Sequence, residues 1–194
     1  MEDMTDSCKE INSKVSNGRG VRLWQITIFL ILFPVVMIYA AEYLDYCDPP
    51  KKADVVVLFL GPEISERSRE AAQLIKDGYA DNLFVPAYEI KRNGTTYPDY
   101  YEDTHIEILR TIKMMEKEGY ETAIMVSSPY HMRRIRMISN LVFSDMPYQL
   151  TFRGSRYVEL KPHWITRIKR IIGEYIKMVF FVIYHFYETV NSMI

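Results

Sequence analysis

"ADVVVLFLG", residues 53–61, is the stretch on which the fold turns. It is a continuous apolar run, rich in β-branched residues, whose only charge is Asp54. A half-solvated strand would alternate apolar and polar positions, so an unbroken run predicts a strand covered on both faces, as in a parallel sheet. The downstream sequence fits that expectation. A helical period runs from about Ser65 to Asp77 and stops at Gly78, a natural C-cap residue. "NLFVPAY", residues 82–88, predicts a second strand, and residues 88–103 form a polar, tyrosine-rich loop. A helix from about Thr104 to Glu118 then stops at Gly119. "TAIMVSS", residues 122–128, predicts a third strand, a helix runs from Pro129 to about Leu141, and "YQLTFR", residues 148–153, makes a fourth strand. Strands separated by helices of this length define an α/β fold, a Rossmann-like parallel sheet with right-handed crossovers.

The final segment, from Trp164, carries Ile168, Ile172, Tyr175, Val179 and Ile183 at helical spacing, a face expected to pack on the sheet. Its run "MVFFVIYHFY", residues 178–187, is too short to cross a bilayer and reads as a buried helix. A helix lying on the membrane surface and a dimer contact are the alternatives.

Upstream of the sheet, "LWQITIFLILFPVVMIYAA", residues 23–41, runs without a charge for about the length a helix needs to cross the hydrocarbon core. Pro34 is tolerated in such a span, and Trp24, Tyr39 and Tyr43 stand where interfacial aromatics are expected. Lys14, Arg19 and Arg22 precede the run, whereas Glu42, Asp45 and Asp48 come after it. The positive-inside rule then gives a cytoplasmic tail over 1–22, a transmembrane helix over 23–44, a polar linker over 45–52 and an extracytoplasmic domain over 53–194, held at the cell inner (plasma) membrane. A cleaved signal peptide is the alternative, but the run exceeds a usual signal core and no clean A-x-A site succeeds it. Cys47 lacks the small preceding residues of a lipidation site, and Cys8 would lie across the membrane from it. With no cysteine after Cys47, the domain has neither an internal disulfide nor a thiolate zinc site. The net charge of −1 gives nucleic-acid binding no basic stripe to work with.

In parallel α/β sheets, ligands bind at the carboxyl ends of the strands. Gly61, Ala87, Tyr88, Ser127 and Ser128 are placed there by the strand assignments. "SSPYHMRR", residues 127–134, adds His131 and Arg134 at the head of apolar stripes Ile135–Ile138–Val142 and Ile138–Leu141. Phosphate or carboxylate is the ligand such a junction would hold, with Arg134 as clamp and His131 as proton donor or acceptor. Ser128 also suits an N-cap before proline at the first helical position. Arg67 heads the stripe Ala71–Leu74–Gly78 of the first helix and aims at the same edge, unless Glu63 or Glu70 pairs with it. Thr104 and Glu107 have the form of a capping box. His105 is open between roles, His105, His131 and Glu107 are not assigned as a metal site from sequence, and His163 and His185 read as structural or surface residues.

This order of features resembles the SanA/ElyC/YdcF family of envelope proteins. The strand "ADVVVLFLG", the early Arg67, the Thr104-x-x-Glu107 helix start and the junction Ser127-Ser128-x-x-His131-x-x-Arg134 carry the resemblance, the last most specifically. The family's glycine-rich turns read "GPE" and "VPAY" here. The resemblance implies a single-span envelope protein concerned with peptidoglycan precursors or lipid carriers. On that reading the domain binds, and hydrolyses or transfers, a phosphate-bearing intermediate such as a lipid-linked sugar. Gly61, Arg67, Thr104, Ser127, Ser128 and Arg134 would bind it, His131 would act as acid or base, and Glu107 would orient His131 or activate water. No cofactor and no metal are called for, since the missing glycine turns argue against the S-adenosylmethionine site reported for one branch. The partners expected are the lipid bilayer and the intermediate, with a homo-oligomer or an envelope enzyme left open, and no nucleic acid. The rival expectation is a non-enzymatic envelope assembly protein.

Overall fold

The computed structural model describes residues 24–26, 28–89, 102–144, 146–159 and 164–192. The tail 1–22 with Cys8, His163 and most of the tyrosine-rich loop lie outside the described residues. The chain divides into two units, one ending at Ala40 and the other running from Ala41. The first is the helix α1, Trp24–Leu44, whose last turn belongs to the second unit. Among the described residues it is the one helix long and apolar enough to cross a membrane.

The second unit is α/β. Among the described residues its sheet has four strands, β1 (Val55–Leu58), β2 (Asn82–Phe84), β3 (Thr122–Ser127) and β4 (Gln149–Gly154), in the order β2-β1-β3-β4. Every pairing is parallel. The helices are α2 (Ile64–Lys76), α3 (Glu102–Glu118), α4 (Pro129–Val142) and α5 (Trp164–Ser192). The unbroken apolar run of β1 is explained by its two faces. Val55, Val57 and Phe59 pack with Ile108 and Met115 of α3, Ile135 and Ile138 of α4 and Phe181 of α5. Val56 and Leu58 pack with Ala71 and Leu74 of α2. Gly78 and Gly119 close α2 and α3 with φ of +75° and +70°, a region that side chains disfavour.

Several sequence expectations are corrected. The second strand ends at Phe84 rather than Tyr88, because Pro86 has no N–H for the ladder and residues Pro86–Glu89 turn into a 3-10 helix. The polar linker after Leu44 runs along the sheet: Asp48 N–H donates to Phe152 O at 2.8 Å and Asp48 Oδ2 accepts from Phe152 N–H at 3.0 Å, which covers part of the edge of β4.

The face of α5 expected on the sheet is turned outward, with Ile172, Val179 and Ile183 45–60% exposed. Ile171, Glu174 and Phe181 are buried instead. Arg134, Lys177, His131 and an apolar core select that side, since Glu174 must be met by partners wherever it is buried. Consequently the run 178–187 is not a buried helix. Phe181 is fully buried, but Phe180, Ile183 and Phe186 are 59–71% exposed.

Candidate functional site

The strand order reverses direction between β1 and β3, so their carboxyl ends open a crevice at the point where α/β sheets bind ligands. Side chains from the turn after β1, from α2 and from the start of α4 fill it. Arg67, 2% exposed, extends under the turn. Its Nη1 donates to Phe59 O at 3.1 Å and to Leu60 O at 2.7 Å, and its Nε donates to Ser128 Oγ at 2.9 Å. Gly61 makes this path available, because a Cβ there would sit 2.4 Å from Nη1. Among the described residues Arg67 Nη2 is buried without a hydrogen-bond partner, 3.5 Å from Glu63 Oε2.

Glu63 is the focus of the crevice. Ser128 Oγ donates to its Oε2 at 2.8 Å, and Tyr130 OH lies 2.7 and 2.6 Å from its two oxygens. Arg170 of α5 pairs with Oε1 at 2.9 Å. Burial opposes the charge on Glu63, yet the Tyr130 and Ser128 hydroxyls, Arg170 and Arg67 outweigh it and hold the carboxyl below its ordinary range. Burial, and after it the bond to Glu63, pushes the Tyr130 phenol up to about 12, so it stays a donor. Ser128 occupies the N-cap position of α4 but makes no side-chain cap bond, because its hydroxyl is spent between Arg67 and Glu63.

A second cluster lies between α3, α4 and α5. Arg134 Nε donates to Glu174 Oε2 at 2.8 Å and its Nη1 donates to Thr104 Oγ1 at 2.9 Å. Thr104 lies inside α3, which begins at Glu102, so its hydroxyl serves Arg134 in place of the capping role its sequence form predicts. Glu174 Oε1 accepts from Lys177 Nζ at 3.0 Å and stands 3.1 Å from His131 Nδ1. A carboxylate at that distance assigns the proton to Nδ1, which makes the 3.4 Å approach of Arg134 Nη2 to the same nitrogen a contact without a shared proton. In this tautomer His131 Nε2 carries a lone pair. Burial pushes the His131 pKa down to about 4 despite the opposing Glu174, leaving the ring neutral near pH 7. For Glu174 burial is again the opposing cause, outweighed by His131, Arg134 and Lys177, and its carboxyl is held well below the usual range.

The residues expected from sequence therefore fall into two groups. Gly61, Arg67 and Ser128 meet around Glu63, while Thr104, His131 and Arg134 meet around Glu174. Arg67 and Arg134 each have a carboxylate of their own. Ser127 ends β3, buried, with its carbonyl accepting Ser155 N–H at 2.8 Å. Glu107 is buried on α3, and its charge favours that of Arg67. Sequence reasoning missed Tyr130, Arg170 and Glu174 and took Glu63 only as a local partner for Arg67. Glu174, the one acid within residues 164–187, was the available signal. The described residues contain no cluster of metal-ligand type.

A cavity of about 570 Å³ opens elsewhere, beside β2 and α3, lined by Leu83, Leu109, Lys113 and Met114 among others. It reaches Val55 and Asn82, the first residues of their strands, and so lies away from the carboxyl edge that the topology favours.

No family model, no characterised protein and no solved structure matches this chain. The likeness to SanA/ElyC/YdcF proteins rests on the quoted motifs alone.

Proposed function

We propose that the chain is a SanA/ElyC/YdcF-like protein, anchored in the cell inner membrane by α1, whose α/β domain binds a phosphate-bearing envelope intermediate at the β1/β3 crevice. The observation that carries this reading is the convergence of Ser128, Tyr130, Arg67 and Arg170 on the single carboxylate of Glu63. Two hydroxyls and two guanidiniums around one anion are the donor set a phosphate needs. Glu63 holds the seat from within, and an incoming phosphate replaces it.

His131 supplies the chemistry in this reading. Glu174 fixes the Nδ1–H tautomer, so Nε2 accepts a proton from the attacking water or hydroxyl as its oxygen bonds to phosphorus and the leaving oxygen departs. Glu174 is a positioning residue here. A lipid-linked sugar or a lipid carrier suits an anchored domain, since α1 would keep the crevice near the bilayer.

The test is the thermal midpoint of the full chain in detergent with phosphate, pyrophosphate or undecaprenyl phosphate, alongside Arg170→Gln. A ligand-dependent rise that shrinks in the variant supports the reading. No rise with any of the three rejects it.

One observation favours the rival, a non-enzymatic assembly protein: the outward apolar face of α5 is of the kind that binds proteins. If substitutions on that face abolish function while His131→Asn does not, the rival stands.

A further inference from the structure

α5 is two-sided. Its inward side buries Ile171, Glu174 and Phe181. Its outward side carries Ile165, Ile172, Ile176, Val179 and Ile183 at three-, four- and seven-residue steps, each 43–60% exposed, as one stripe. The stripe is flanked by the exposed aromatics Phe180, Phe186 and Tyr187. Stripes of this size on a folded domain mark a surface that is covered in the working protein.

Three observations identify the cover. The last turn of α1 is built into this unit next to α5: Leu44 is fully buried, the Tyr43 ring lies 6.5 Å from that of Tyr175, and Arg133 Nε donates to Tyr43 O at 2.6 Å. The end of the apolar helix is thus fixed beside α5. The second is charge. Glu174, the one acid within residues 164–187, is buried and paired inward, and the cations Arg170 and Lys177 are paired inward too, so that stretch turns no acid outward to repel anionic lipid. The third is Lys169, exposed on the stripe side of the helix. The core of a protein dimer is depleted of lysine, whereas at a lipid surface its stem lies along the hydrocarbon and its ammonium snorkels to the headgroups.

We propose that α5 rests in the interface of the bilayer with this stripe down and Lys169 reaching the anionic lipid headgroups. This rests on the reading that α1 spans the membrane. It gives α5 two tasks: its inward side supplies Arg170 to the crevice and Glu174 to the cluster beside His131, while its outward side holds that crevice at headgroup level.

The experiment uses the full chain in nanodiscs of phosphatidylglycerol and phosphatidylcholine, one copy per disc. Both native tryptophans are replaced (Trp24→Phe, Trp164→Phe), and one reporter is added at a time: Val179→Trp on the stripe, Phe33→Trp in α1, or Leu83→Trp on β2. Lipids brominated near the headgroup end of their chains quench tryptophan at the Val179 position on contact, and lipids brominated near the chain terminus quench it at the Phe33 position; Leu83→Trp is read with both. The expected result is that the Val179→Trp and Phe33→Trp reporters each lose about half their fluorescence and Leu83→Trp none, as for an interfacial helix. Quenching of Phe33→Trp without Val179→Trp overturns the placement of α5 and leaves the span standing. Absence of quenching in both overturns the span and the placement together. A Val179→Trp reporter that is shielded only in discs holding two copies assigns the stripe to a second copy and also overturns the proposal.

Discussion

Glu174 Oε1 lies 3.1 Å from His131 Nδ1, across the contact between α5 and α4, and Arg134 pairs with the other oxygen of the same carboxylate at 2.8 Å. One buried acid thus orients an imidazole, neutralises a guanidinium and docks the last helix on α4. The energetic consequence is asymmetric, because removing the acid strands the cation it faces.

Glu174→Ala should therefore cost about 3–5 kcal/mol, the usual penalty for an uncompensated buried charge. Arg134→Ala should cost a similar amount, and the double variant less than the sum of the two. Urea unfolding of the four proteins checks this. Additive losses would mean that the pair is not coupled.

Stability should fall with acid in a window set by His131. The unfolded imidazole takes up its proton near pH 6.5, whereas burial holds the folded one unprotonated until about pH 4. The unfolded state binds more protons between those values, so stability rises with pH across the window. The contribution is complete above about pH 6.5 and is lost by about pH 4, on the order of 3 kcal/mol in all. His131→Asn should remove one proton's worth of slope between these limits in unfolding curves taken at stepped pH. An unchanged slope would place the titration elsewhere.

Gly61→Ala should destabilise by about 1–3 kcal/mol, since the new Cβ meets the buried Arg67 guanidinium and dislodges its bonds to Phe59 O and Leu60 O. Gly154→Ala should be at least as costly, because its Cβ would approach backbone, Pro129 Cα at 2.9 Å and Tyr46 O at 3.0 Å. Gly173→Ala meets nothing within 4 Å inside α5 and should stabilise by about 0.5–1 kcal/mol. Thermal midpoints of the three variants separate these signs.

The sheet was legible because burial on both faces leaves a mark that needs no partner to interpret: the unbroken run of β1, and the glycines at 78 and 119. The edge residues Arg67, Ser128 and Arg134 were also legible from their places on predicted elements. Their partners were not. A helix period shows two apolar sides of α5 without showing which one turns inward, and the answer depends on Glu174, whose partner Arg134 stands 40 positions away. The same holds for Arg170, which reaches Glu63 from far along the chain.

In the proposed function Glu63 occupies an anion seat. The direct measurement is calorimetric titration of the full chain and of Glu63→Gln with pyrophosphate and with undecaprenyl phosphate. With the internal carboxylate neutralised, the hydroxyls of Ser128 and Tyr130 and the guanidiniums of Arg67 and Arg170 face the ligand without a competing charge. Affinity should then rise about tenfold, the equivalent of about 1.4 kcal/mol. Weaker binding in Glu63→Gln, or none in either protein, would contradict the claim and leave the Glu63 cluster as an internal brace of the crevice.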